Sequence, residues 1–310
     1  VHGDMNGVQI TGLANLAGGT MRGVQLAGIS NISGNNTVGL SAAGLVNITG
    51  DRTQGVIISG LTSIGGDNTS GLMISGFMNV TGNMASGLHF SGAANITGQS
   101  FGGLMASGLL NVVGEHMNGL QIAGIANITA SKLNGVQIAL CNYATQARGL
   151  QIGLVNYYKE DMKGFQLGLV NANPDTRVQM MVYGGNATPA NIGVRFKNQL
   201  FYTILGVGSM YQGLNDKFSA SASYRAGLSF PLYKGLSISG DLGYQHIEAF
   251  DNKDEVIPKR LYALQARANL EYQFTRKFGI FATGGYGLTR FYNKSSNYDK
   301  GAIIEAGIVL

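Results

Sequence analysis

Glycine returns every sixteen residues through the first half of this chain, at Gly7, Gly23, Gly39, Gly55, Gly71, Gly87, Gly103, Gly119 and Gly135, then at Gly149 and Gly164 after steps of fourteen and fifteen. No helix tolerates glycine at such density, so a helical array is excluded at the outset. A fixed period of this length marks a coil of stacked repeats, each too small to bury its own apolar face. Further glycines recur five and eleven positions later, as at Gly12 and Gly18 or Gly28 and Gly34, where a strand can turn a tight corner. Asparagine returns eight positions on, at Asn15, Asn31, Asn47, Asn79, Asn95, Asn111 and Asn127, with Ser63 once in its place. Stacked asparagines can bond their counterparts above and below, so an amide ladder is expected.

One and three positions after the periodic glycine the residue is apolar, as in Val8 with Ile10 and Leu120 with Ile122. This alternation predicts a short strand whose Val, Ile and Leu fill a thin interior. Between them stands glutamine at Gln9, Gln25, Gln121, Gln137, Gln151 and Gln166; the same parity would turn it outward, making a candidate partner-binding ladder. The fold expected for residues 1–176 is therefore a β-solenoid of about eleven rungs of 14–16 residues, each with two short strands and a variable four-residue loop. Rungs about 4.8 Å apart would make a rod roughly 50 Å long. One membrane strand per repeat is the competing arrangement, but its loops would differ in length between the two sides. In this chain they do not.

Composition narrows the setting. Charged residues make up 12% of the 310 and hydrophobic ones 45%. That charge is about half the usual quarter, so part of the surface avoids water by some route other than an ordinary core. No apolar run is long enough for a membrane helix, although barrel strands alternate and hardly register in hydropathy. The net charge of +5 is spread without a basic run, so no nucleic-acid partner is expected. His2, His89, His116 and His246 have no ligand spacing, and neither a metal nor another cofactor is expected. A single cysteine, Cys141, precludes an internal disulfide. The chain opens in mid-pattern at Val1, which predicts that a leader has been processed or trimmed.

After residue 176 the repeat vanishes and aromatics arrive: of 13 Phe and 14 Tyr, 7 precede that point and 20 follow it. The new segments alternate over ten or more residues. In "FSASASYRAGLSFPL" one face carries Phe218, Ala220, Tyr224, Leu228 and Phe230, the other Ser219, Ser221, Arg225 and Ser229. An apolar outside ringed by aromatics over a polar inside is the pattern of a membrane β-barrel. Eight such strands are expected near 177–185, 190–198, 200–211, 217–231, 235–249, 260–275, 277–292 and 301–310. They make residues 177–310 an antiparallel transmembrane barrel, and the whole chain all-β. A lumen of that size is filled by side chains. Here it would hold Arg195, Arg225 and Arg267 with Asp241, Glu271 and Glu305, a balanced set able to pair rather than conduct. Connections alternate between short turns and longer polar loops; short turns face the periplasm in bacterial outer-membrane barrels. Both ends of an eight-stranded barrel then lie on that side, which places the solenoid in the periplasm, with the cell surface as the alternative.

The phrases GLQIGLVN, Gly149 to Asn156, and GFQLGLVN, Gly164 to Asn171, resemble the repeats of the surface-repeat outer-membrane proteins of Bacteroidetes and spirochaetes. The likeness extends to the order of repeat then barrel, and the earlier sixteen-residue rungs depart from it by one inserted residue. It implies no known activity, and the family's surface label implies a solenoid outside the cell. From the residues themselves the expected function is non-enzymatic: a barrel anchored in outer-membrane lipid, presenting a solenoid scaffold to other outer-membrane or periplasmic proteins, a role open to an accessory subunit of a larger assembly. The alternatives are a surface adhesin and a lipid-modifying barrel enzyme, the latter using His246 beside Glu248 at the barrel rim.

Overall fold

The computed structural model describes residues 3–209, 211, 214, 218–250, 260–292 and 297–310. His2, the loop over 251–259, most of that over 212–217 and part of that over 294–299 lie outside them. Two compact units are present, Val1–Gly168 and Leu169–Leu310.

In the first unit a rung consists of a strand of seven or eight residues around the periodic glycine, such as Asn68–Ser75, and a four-residue strand around the asparagine, such as Met78–Thr81. Equivalent strands of successive rungs pair parallel and in register: Gly71 lies on Gly55 and Gly87, and Asn79 on Asn95. This is the expected β-solenoid. The last coils run their two strands together, as Ala126–Ile138, Cys141–Ile152 and Val155–Leu167. Register shifts at Thr129/Lys132 and Ala144/Gln146 absorb the shortened repeats.

The periodic glycines have a stronger cause than corner geometry. All eleven have positive φ, between 107° and 147°. At Gly103 a Cβ would also lie 2.2 Å from the carbonyl oxygen of Gly87 in the neighbouring rung. Stacking at strand distance therefore leaves no room for a side chain there.

The solenoid interior reverses the expected one. Gln25, Gln121, Gln137 and Gln151 are fully buried, and Gln9 and Gln166, at the two ends of the column, are half-buried; Val8 and Ile10 are 65% and 69% exposed. Period-two alternation fixes which residues share a face, but not which face is the inside. An inward amide can bond an identical amide one rung away, although the Oε1 of Gln25, whose next rung holds Ser41, has no partner. Gln25 donates to Gln9 at 2.9 Å, Gln137 to Gln121 at 2.8 Å, Gln151 to Gln137 at 2.9 Å and Gln166 to Gln151 at 2.8 Å. Between these runs the same column holds Ser41, Ile57, Met73, His89 and Met105, and Phe101, Met117 and Leu133 pack beside it.

The asparagine ladder forms as the spacing implies. Asn79 donates to Asn95 at 2.8 Å, Asn95 to Asn111 at 2.9 Å and Asn111 to Asn127 at 3.0 Å. Each amide also caps a backbone carbonyl of the next rung, as Asn95 does at Ala106, 2.8 Å away. Where Ser63 interrupts the row, Ser59 and Ser75 bridge the gap at 2.7 and 2.9 Å, and Ser75 donates onward to Asn79 at 2.7 Å.

His89 is the odd member of its column. It is 1% exposed, its ring meets Phe101 edge-on with centroids 4.9 Å apart, and its Nε2 has no partner. Burial lowers its pKa from 6.5 to about 4. The unfolded chain thus binds a proton that the folded one refuses, and stability held above pH 6.5 falls as pH drops toward 4, by up to about 3 kcal/mol. Denaturant melts of His89→Met between pH 7 and pH 4 should lack this loss, because methionine already fills the column at Met73 and Met105. An unchanged acid slope in that variant would contradict the assignment.

The second unit is a closed antiparallel barrel of eight strands: Arg177–Gly185, Ala190–Asn198, Phe201–Ser209, Ser219–Tyr233, Leu236–Ala249, Arg260–Gln273, Gly279–Phe291 and Asn297–Val309. Its last strand pairs with its first, Val309 opposite Met181. Tight turns at Gln199, φ 45°, and Gly235, φ 83°, close two of the hairpins. The last strand begins four residues earlier than the alternation suggests, at Asn297 rather than 301, because it pairs with Arg290 across a bulge. Outward positions are apolar, including Val178, Ile192, Leu242, Leu270 and Ile304. Aromatics gather at both ends, Phe218 against Phe250 near the long loops and Tyr272, Phe274 and Phe278 near the short turns.

Candidate functional site

Three regions carry chemistry: the barrel lumen, a cluster at the barrel rim and the charged edge of the solenoid.

The six lumen residues expected from alternation all point inward and are brought together as three pairs. Arg225 binds Asp241 with two parallel bonds of 2.8 Å, from Nε and Nη2. Arg267 reaches Glu305 at 3.1 and 3.2 Å, and Arg195 donates from Nη2 to Glu271 at 2.9 Å. Arg225 also lies 3.9 Å from Glu305, which links two of the pairs. Three further residues complete the network. Tyr202 and Asn269 each donate to Asp241 at 2.8 Å, and Gln179 accepts from Arg195 at 2.7 Å. Their inward parity was available in the sequence, but being uncharged they carried no signal of their own. The pairs are buried, with apolar clusters of Met181, Tyr183, Ile204 and Phe281 and of Tyr211, Leu214, Ile247 and Leu261 in the same barrel, while Gln179 and Glu271 also line a cleft of about 370 Å³ beside the turn at Gly235. Buried, bidentate and charge-balanced, this is the chemistry of a structural plug.

At the rim, His246 and Glu248 are 3.7 Å apart, and Arg260 bonds the same carboxylate at 3.2 Å. The hydroxyl that meets His246 is the phenol of Tyr292, 2.6 Å from Nδ1, within an aromatic group that includes Tyr244 and Tyr262. Among the described residues no group of three or more His, Cys, Asp or Glu is placed to hold a metal.

On the solenoid the burial of the glutamine column moves the candidate partner surface elsewhere. The loops between rungs, and the residues leading into each long strand, vary from rung to rung and carry the unit's charges, among them Arg52, Asp67, Glu115 and Lys132. Midway along this edge a cleft of about 560 Å³ is lined by Arg52, Gln54, Ser70, Ser86 and Gly102, with Phe101 at its floor. It exists because small residues stand outward there, where other rungs place Arg22, Asn134 or Arg148.

The fold defines a class: a β-solenoid joined to a closed eight-stranded β-barrel of inverted polarity. Among solved structures the chain matches the N-terminal β-barrel domain of Pseudomonas aeruginosa OprF, at 16% identity and a TM-score of 0.31, over 43% of this chain and 93% of that one. No protein-family model and no curated protein matches it.

Proposed function

We propose that the chain is a non-enzymatic outer-membrane protein whose barrel anchors a solenoid scaffold for partner proteins. The observation that carries this reading is the polarity of the barrel, with ion pairs and amides inside and Leu, Ile and Val outside between two aromatic ends. Such a surface suits hydrocarbon, and a lumen filled by its own side chains suits an anchor better than a channel. The chain enters the barrel at Arg177, on the side of the tight turns at Gln199 and Gly235, which supports a periplasmic solenoid. Docking belongs to the variable, charged edge, since an extended regular surface with local variation is what solenoids offer to partners. In Gram-negative cells expressing the full chain, a photo-crosslinker at Gln54 or Ser86 should give adducts with envelope proteins that vanish when the barrel is deleted. Protease cleavage within residues 50–120 on intact cells would overturn the periplasmic placement, and absence of the chain from the outer-membrane fraction would overturn the anchor.

A further inference from the structure

The outward face of the solenoid is as unusual as its interior. With the periodic glycine as position 0, the outward residues at positions 1, 3, 6, 7 and 9 are overwhelmingly aliphatic, as in Leu104, Leu109, Leu110 and Val112 of one rung. No Asp, Glu, Lys or Arg occurs at positions 0 to 10 of the nine rungs that begin at Gly7 to Gly135, as in residues 7–17, 39–49, 71–81, 103–113 and 119–129; in the shortened rung of Gly149 the first charge, Lys159, stands at position 10. Among the described residues, all large exposed hydrophobic side chains of this unit lie on that flank or its equivalent in the shortened rungs, save Met84. The charges all lie on the opposite edge. A strip of exposed Leu, Ile and Val running roughly 50 Å along the stack exceeds what a soluble surface carries without a partner.

We infer that this flank is seated in membrane hydrocarbon, with the solenoid lying along the bilayer surface and its charged edge in water. The inference rests on the membrane reading of the barrel, and three observations favour lipid over a protein partner. The flank comprises two strand faces and the corner joining them, so it is convex, and a protein would need a matching groove along its whole length. It offers a partner no charge and few hydrogen-bonding side chains. Its backbone donors are already used: at one corner Gly76 N–H bonds Ser59 O, and Phe77 and Met78 N–H both bond Leu61 O, at 2.8 to 3.1 Å, and the pattern repeats at Gly92 and Gly108. Satisfied backbone groups are what hydrocarbon demands and water does not. A polar face opposed to an uncharged apolar one is also how elements lying in the interface are built.

Cys141 stands exposed on this flank, paired in register with Ala126 and Val155, and serves as a native reporter. The test uses the full chain in vesicles of phosphatidylcholine and phosphatidylglycerol, with and without nitroxide-labelled acyl chains. A thiol-reactive fluorophore is placed on Cys141 and, in a Cys141→Ala background, on Leu45→Cys, Leu109→Cys, Asn118→Cys or Leu242→Cys, the last on the barrel exterior. Labels at Cys141, Leu45 and Leu109 should lose intensity to acyl-chain nitroxide as the barrel label does, while the label at Asn118 should keep it. A quenched barrel label with unquenched flank labels would overturn the inference and leave the anchor standing. The same result with disulfide crosslinking between flank cysteines of two chains would assign the flank to a second copy instead. If the barrel label also escapes quenching, the membrane reading falls and this inference with it.

Discussion

Replacing Arg225 by alanine is expected to cost the barrel about 3–5 kcal/mol, measured by denaturant unfolding of the refolded protein in detergent micelles or vesicles. The side chain is 1% exposed and bonds both oxygens of Asp241, which is equally buried and also accepts from Tyr202 and Asn269. Removing the guanidinium strands a carboxylate in a dry lumen, and Glu305 loses the nearby positive charge as well. Arg225→Lys should recover only part of the loss, because a single ammonium cannot reproduce the parallel bonds. The double variant Arg225→Met with Asp241→Met should be more stable than either single change, since no uncompensated charge remains. A loss for Arg225→Ala of only about 1 kcal/mol or less would mean that the pair behaves as an exposed one and that the lumen is wet.

Gly103→Ala should damage the solenoid as severely, by about 3 kcal/mol or more. The residue has a φ of +127°, and its added methyl would meet the Gly87 carbonyl oxygen at 2.2 Å, which is backbone and can yield only by parting two rungs. Its neighbour is the control. At Gly102 an added Cβ meets nothing within 4 Å and φ is ordinary, so Gly102→Ala should be close to neutral. Hydrogen exchange across residues 85–120 should rise in the first variant and not in the second. Similar exchange in both would remove stacking as the reason for the sixteen-residue glycine.

These two sites illustrate how far the sequence can be read. Phasing of the rungs was legible because one contact, glycine against the carbonyl of the next glycine, recurs in every coil and admits no substitute. The barrel strands and six lumen residues were legible because alternation continues for ten or more residues and charged side chains mark the inward parity. The orientation of the solenoid strand was not legible. Gln137 between Val136 and Ile138 has the pattern of a soluble strand with its polar residue outward, and only the amide-to-amide bond to Gln121 reveals the opposite. The rule that apolar residues go inside holds for a chain surrounded by water. The missed lumen partners, Tyr202, Asn269 and Gln179, have a different cause, since neutral polar residues acquire meaning only once the pairs they complete are in place.

In-register stacking also makes length a separable property. Because Gly71 pairs in register with Gly55 and Gly87, and Asn95 with Asn79 and Asn111, the strands of each rung pair with those of its two neighbours. Loss or duplication of one whole sixteen-residue unit keeps the neighbouring strands in register, changes the reach of the stack by a single strand spacing and alters only the column contacts at the join. The length of the stack is therefore set in equal increments of one rung, separately from the chemistry of its edge.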